Sequence, residues 1–113
     1  MNAVVRFPDV RSKTPTLHFT RTEFLRLLGL YSNRVMTGEW RDYAFSFAPA
    51  KANFFVFRHS FEHPLFVISK LDVRGRNRQS RFTVSSRGHK LFESQSLEDV
   101  LAFFQRPIRL VPG

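Results

Sequence analysis

The clearest hydrophobic pattern early in the chain is that of an amphipathic helix. Thr20 and Glu23 have the spacing of a capping box, in which each side chain hydrogen-bonds the other residue's backbone amide. Gly38 suits the left-handed position that ends many helices. We therefore expect a helix from Arg21 that lies against a sheet, with Leu30 alone on its polar side. At 100° per residue the apolar arc contains Phe24, Leu25, Leu27, Leu28, Tyr31, Val35 and Met36.

After this helix the hydrophobic period changes to the period of two that marks β-strands. Tyr43, Phe45 and Phe47 alternate with polar or small residues, which predicts a strand with one buried face. The next two apolar runs carry large side chains on both faces and predict central strands. A fourth run alternates again, and a turn at Arg87-Gly88 leads to a fifth. The strands predicted after the first are Asn53 to Arg58, Leu65 to Leu71, Arg81 to Ser85 and Lys90 to Glu93.

A short closing helix is the last predicted element. Ser96 has the spacing of a second cap, and Pro107 ends the helix. Its apolar stripe consists of Leu97, Val100, Leu101 and Phe104. The pattern thus predicts an α+β domain with an antiparallel sheet of about five strands, an N-terminal helix packed on it, and a short C-terminal helix.

The two ends of the chain have no sustained hydrophobic period. Residues 1–15 contain two prolines and predict a flexible basic arm, and residues 106–113 predict a C-terminal tail. Between them, Leu17 to Phe19 can add a short edge strand. We expect one domain, residues 16–105.

Composition narrows the class of protein. The 113 residues are 42% hydrophobic and include 14 Phe, so aromatic packing should dominate the core. The absence of cysteine excludes disulfides and thiolate chemistry. No apolar run approaches the ~18 residues of a membrane span, and the first residues lack an export signal's apolar core. We expect a cytoplasmic protein with no membrane partner.

The positive charge is local. The formal net charge is +9, and the segment RGRNRQSR, residues 74–81, together with the two ends carries nearly all of it. Closely spaced guanidiniums can grip phosphates, so the chain is a candidate nucleic-acid binder. The alternative is a solvated loop that keeps a Phe-rich protein in solution. The candidate nucleic-acid-binding residues are Arg74, Arg76, Arg78, Arg81, Arg87 and Lys90.

One sequence motif, GEWRDYA at residues 38–44, resembles a motif of a known protein family. Together with the following Phe-rich strand and the Pro64-Leu65-Phe66 entry to an Ile-Ser-Lys strand, it resembles a small bacterial family of domains of unknown function found mainly in alphaproteobacteria. The likeness covers roughly residues 19–104, and Phe66-Val67 departs from it. It implies an intracellular single domain and no particular functional residue.

Several aromatic residues are candidates for an interaction surface. Trp40 and Arg41 are residue types enriched in binding hot spots, although the position of Trp40 at a junction of elements favours a structural role as the anchor of the corner between helix and strand. Phe55, Phe57 and Phe66 predict a second dry sheet face, covered by the closing helix, a second copy, a protein partner or stacked bases. A homodimer or protein-interaction module is therefore the alternative function.

Catalytic and metal chemistry have little support. His59 and His63 lie four apart around Glu62, but in a connection before Pro64 this spacing fixes no common face, so a polar loop is the simpler interpretation. No nucleophile elbow or phosphate-binding glycine loop is present. NFFVFR has a superficial likeness to an RNA-binding strand but lacks its basic-Gly-aromatic opening. The sequence therefore predicts a non-catalytic accessory protein without a cofactor, with nucleic acid as its leading partner.

Overall fold

The computed structural model describes Val4–Val5 and residues 15–59, 63–72 and 80–105. The predicted α+β architecture is confirmed, and the predicted element ends differ from the observed ones by a residue or two. Arg74, Arg76, Arg78 and the predicted tail lie outside the described residues. In chain order, the elements are β1 Val4–Val5, α1 Arg21–Met36, β2 Asp42–Ala48, β3 Lys51–Phe57, β4 Phe66–Asp72, β5 Ser80–Ser86, β6 His89–Ser94 and α2 Leu97–Gln105.

All strands belong to one six-stranded sheet whose spatial order is the chain order. Strands β2 to β6 are antiparallel to their neighbours. β1 pairs parallel with β2, Val4 lying opposite Ala44, within the predicted arm. The sequence analysis does not predict β1, because two residues are too few to show a period. The edge strand expected at Leu17 does not form; the Leu17 amide donates a single hydrogen bond to the Ala48 carbonyl at 2.8 Å.

Helix α1 begins and ends as its sequence predicts. The Glu23 amide donates to the Thr20 hydroxyl at 3.1 Å, and the Thr20 amide donates to the Glu23 carboxylate at 2.8 Å. At the other end, Gly38 has a φ of 78°, which glycine adopts without the strain of a Cβ. Its amide donates to the Val35 carbonyl at 3.0 Å. These local contacts fix both boundaries.

The buried side of α1 is narrower than predicted and turned toward α2. Leu30, expected on the polar side, is buried, whereas Leu25, Val35 and Met36 are exposed. The cause is tertiary: Leu30 lines a recess together with Leu101 and Gln105 of α2, and Arg26 of α1 pairs with Glu98 of α2. Helix α2 therefore covers the flank of α1 that carries Leu30, a contact that the periodicity of α1 alone does not reveal.

Both helices lie on the same side of the sheet. The rings of Phe24 and Phe45 stack with their centroids 4.9 Å apart, which places α1 over β2. The ring of Phe104 from α2 packs edge-on against Phe66 at 5.1 Å. We call this side the covered face; in register across the strands it carries Tyr43, Phe45, Phe54, Val56, Phe66, Ile68, Phe82 and Val84.

The expected grouping of Phe66 with Phe55 and Phe57 is wrong. In the antiparallel register of β3 and β4, Val56 lies opposite Phe66 and Phe55 lies opposite Val67. Phe66 therefore belongs to the covered face. A shift of one residue in pairing exchanges the two faces of a strand, so a strand that is apolar on both sides does not reveal its orientation.

A buried ion pair ties the start of α1 to the middle of the sheet. The Lys70 side chain is 7% exposed, and its Nζ lies 2.8 Å from Oε1 of Glu23. It also donates to the His18 carbonyl at 3.1 Å. Since the same Glu23 oxygen accepts the Thr20 amide, the ion pair and the helix cap share one carboxylate.

Trp40 anchors the corner between α1 and β2. Its side chain is 2% exposed. Its ring lies 5.5 Å from Phe104, 6.2 Å from Phe66 and 6.4 Å from Tyr31, so it touches both helices and the sheet. This buried position supports the interpretation of Trp40 as an anchor of the corner rather than a binding residue.

Replacing Trp40 with alanine should destabilise the protein strongly. We expect Trp40→Ala to lower the free energy of unfolding by roughly 3–5 kcal/mol, because a large buried ring leaves a cavity that the core cannot close. Urea denaturation measures the loss. The control is Met36→Ala, since Met36 is 85% exposed, and its cost should stay within about 0.5 kcal/mol. Equal stability of the two variants would contradict the assignment of Trp40 as an anchor.

The Lys70–Glu23 pair should be coupled. Lys70→Met leaves a mostly buried carboxylate without its cation and should cost roughly 3–5 kcal/mol, as removal of one partner of a buried pair does. Glu23→Gln should then cost much less in the Lys70→Met background than in the wild type. Lys90→Met, which breaks an exposed pair, is the control and should change stability little. Additive effects in the double-mutant cycle would show that the pair is not coupled.

Candidate functional site: the open face of the sheet

The second side of the sheet carries no helix of the described chain. We call it the open face. Its central polar row crosses five strands and ends at a carboxylate, and a second row beside it is mostly apolar. In order, the polar row is Ser46, Asn53, Ser69, Thr83 and Glu93, and the apolar row is Ala44, Phe55, Val67 and Ser85.

Hydrogen bonds hold the polar row in place. Asn53 Nδ2 donates to the Ser46 hydroxyl at 3.2 Å, and the Ser69 hydroxyl donates to Asn53 Oδ1 at 2.7 Å. Ser69 itself is buried between its neighbours. The centre of the open face is therefore a preorganised polar strip on three neighbouring strands.

Phe55 and Phe57 are the large apolar groups of β3 on this face. They alternate with the buried Phe54 and Val56, and both are only half-buried. Within the described part of the chain neither ring packs against another ring, whereas the rings of the covered face form a continuous cluster. Both side chains thus keep part of their surface exposed on the open face.

A basic groove lies at one end of the open face. It is formed where β3 ends, where β4 begins and where β5 turns into β6. The groove encloses about 1150 Å³ and is lined by Arg58, His59, His63, Pro64, Leu65, Val67, Arg87 and Gly88. We call this the basic groove. None of these lining residues is acidic.

The tight turn between β5 and β6 presents Arg87 to the groove. Ser86 pairs with His89, so Arg87 and Gly88 form a two-residue hairpin loop. Their φ angles are 51° and 81°, the left-handed conformation that such loops use to match the twist of the strands. The Arg87 side chain is exposed at this tip.

The predicted phosphate-binding residues do not form one patch. Arg81 and Lys90 flank the same carboxylate, Glu93, at 3.5 Å and 3.3 Å. The hydrogen bond from Lys90 lowers the pKa of Glu93, and the charges of Lys90 and Arg81 add to this effect. One acid thus offsets part of that positive charge. Arg87 lies at the opposite ends of the strands from Arg81 and belongs to the basic groove.

Sequence reasoning missed Arg58 as a binding candidate. It follows β3, while Arg87 lies in the next hairpin but one, and no sequence spacing relates them. A signal was present: in an antiparallel sheet the end of β3, the start of β4 and the turn from β5 to β6 meet at one edge, and each carries basic residues. Combining the predicted strand order with the charge at each connection would have identified the groove.

The histidines that sequence analysis considered for a metal both line the basic groove. His59 and His63 are exposed there. No group of three His, Cys, Asp or Glu side chains that could hold a metal ion occurs among the described residues. The two imidazoles share the groove lining with Arg58 and Arg87.

Of the remaining interaction candidates, two lie in the core and one lies just before β2. Trp40 and Phe66 belong to the core on the covered face. Arg41 is exposed at the start of β2, and its amide donates to the Phe57 carbonyl at 2.8 Å. Of the predicted aromatic set, Phe55 and Phe57 are thus the pair that the fold places on one accessible surface.

The chain matches one known protein family. Searches of curated proteins and of solved structures each found no match. Among the described residues, no helix combines the length and apolarity needed to cross a bilayer. A family described as "Protein of unknown function (DUF2794)" matches residues 17–101. That range contains α1, strands β2 to β6 and the first half of α2. The chain belongs to this uncharacterised family.

Proposed function

We propose that the protein is a non-catalytic accessory protein of the cytoplasm that binds single-stranded nucleic acid on the open face. The observation that carries the proposal is the placement of Phe55 and Phe57, two half-buried rings on a sheet face that neither described helix covers and that ends in the basic groove. Sheets with exposed aromatic residues are a general means of stacking unpaired bases.

Each part of the open face matches one part of a nucleotide. The rings can stack on bases, a contact worth about 1–3 kcal/mol per base. Asn53 keeps donor and acceptor capacity beyond its two bonds in the polar row and can meet base edges. The basic groove and the net charge of +9 supply attraction to phosphates.

A single strand fits these features better than a duplex. Stacking on Phe55 and Phe57 requires bases whose flat faces are free, and in a duplex those faces are occupied by neighbouring base pairs. The described surface also presents no isolated helix that could enter a major groove, since both helices pack on the covered face.

A second candidate is a homodimer through the open face. The observation that favours it is the row formed by Ala44, Phe55 and Val67, an apolar strip that a symmetric contact with a second copy could bury. A light-scattering mass at high micromolar concentration separates the two. A dimer that Phe55→Ser dissociates supports this second candidate, whereas a monomer removes it.

The stacking variants test the leading proposal. Phe55→Leu and Phe57→Leu should each weaken binding of a labelled single-stranded oligonucleotide by about tenfold, because leucine keeps an apolar group but offers no ring. Fluorescence anisotropy measures the dissociation constant. Phe92→Leu is the matched control: its ring stacks on Phe103 under α2, so its loss should leave binding unchanged. Equal affinities for all three variants would contradict base stacking on the open face.

The arginines of the β4–β5 connection should contribute through charge alone. If Arg74, Arg76 and Arg78 each neutralise one phosphate, their replacement by glutamine should reduce the slope of log affinity against log salt by about 0.7 per contact on single strands, or about 2 in total. Replacing Arg81, which pairs with Glu93, should reduce this slope by less than replacing any of the other three arginines. Absence of measurable binding by the wild type at ~50 mM salt, where phosphate contacts are strong, would overturn the nucleic-acid proposal.

A further inference from the structure

We infer that the basic groove binds a phosphate monoester, namely the terminal phosphate of the single strand that lies on the open face. This inference rests on the proposed function and specifies which part of the ligand the groove receives.

The groove concentrates donors without a competing acid. Arg58 and His59 come from the end of β3, His63 from the approach to β4, and Arg87 from the hairpin tip. None of these four side chains forms an ion pair with another described residue. In contrast, Arg81 and Lys90 share Glu93. Among the described residues, the groove is thus a site where positive charge gathers without a carboxylate in the lining.

The donor set suits a monoester better than an internal diester. A terminal phosphate carries a charge of about −1.5 to −2 at pH 7 and three terminal oxygens, whereas each internal linkage carries one charge. A guanidinium can bind two oxygens of the same phosphate in a fork. Arg58 and Arg87 both line the groove, so two guanidiniums can together engage three oxygens, and the imidazoles add further donors.

The groove is continuous with the stacking surface. Val67 lines the groove and also lies directly opposite Phe55 in the sheet. The groove lining is completed by Pro64 and Leu65, which offer an apolar surface to a sugar or base. A strand stacked on β3 therefore enters the groove at the end of the sheet, where its terminal phosphate meets the arginines.

Oligonucleotides that differ only at their ends test this inference. The full-length protein is titrated with one internally labelled single strand carrying a 5′-phosphate, a 3′-phosphate or hydroxyls at both ends. We expect one phosphorylated form to bind at least about tenfold more tightly than the hydroxyl form, as charge-assisted hydrogen bonds to two guanidiniums would give. A nucleoside monophosphate added as competitor shows whether the free monoester suffices to occupy the groove.

Matched charge variants locate the preference. Arg58→Gln combined with Arg87→Gln should abolish the difference between phosphorylated and hydroxyl forms. Arg21→Gln combined with Lys51→Gln removes the same charge from two exposed positions outside the groove lining and should preserve it. A preference that survives in the groove variant would overturn the assignment.

Two further outcomes distinguish the terminal-phosphate site from single-strand binding on the open face. Equal binding of all the oligonucleotides by the wild type would overturn the phosphate site and leave single-strand binding standing. Failure of every oligonucleotide to bind would overturn both.

Discussion

The packing of Phe104 against Trp40 and Phe66 is the interaction on which the rest of the structure depends. It returns α2 to the side of the sheet already occupied by α1, so that both helices share one core. The covered face then holds the large buried rings, and the open face is left with the polar row, the mostly apolar row beside it, and Phe57. Had α2 crossed to the other side, no broad surface would remain for a ligand. The same corner contains the GEWRDYA word, whose tryptophan is a structural anchor.

The fold distributes the positive charge differently from what the sequence alone indicates. In the sequence, segment 74–81 dominates the positive charge. In the fold, Arg81 shares Glu93 with Lys90, while Arg58 and Arg87 meet at the basic groove beside two histidines. The buried Lys70 has a separate structural role because it holds Glu23 and thereby the start of α1. The described cations thus include one that is buried in a structural ion pair, two that share a carboxylate and two that line the basic groove.

The helices and strands could be predicted from neighbouring residues. The candidate site could not, because it depends on contacts between residues that are distant in sequence. The capping box at Thr20 and the glycine stop at Gly38 depend on a few neighbouring residues, so the boundaries of α1 were predictable. Which face a residue occupies depends on partners distant in sequence. Leu30 is buried by α2, and Phe66 changes sides with the register of β3 against β4. The basic groove was missed for the same reason, because its members meet only when three connections reach one edge of the sheet.

The most direct test of the open face as the binding surface is a map of backbone amide chemical shifts during titration with a single-stranded oligonucleotide. The account predicts that the largest changes fall on Phe55, Phe57 and Val67 and extend to Arg58 and Arg87, while the amides of α1 stay nearly constant. Changes confined to the exposed side of α1, where Leu25 and Met36 lie, with the amides of β3 unaffected, would contradict it.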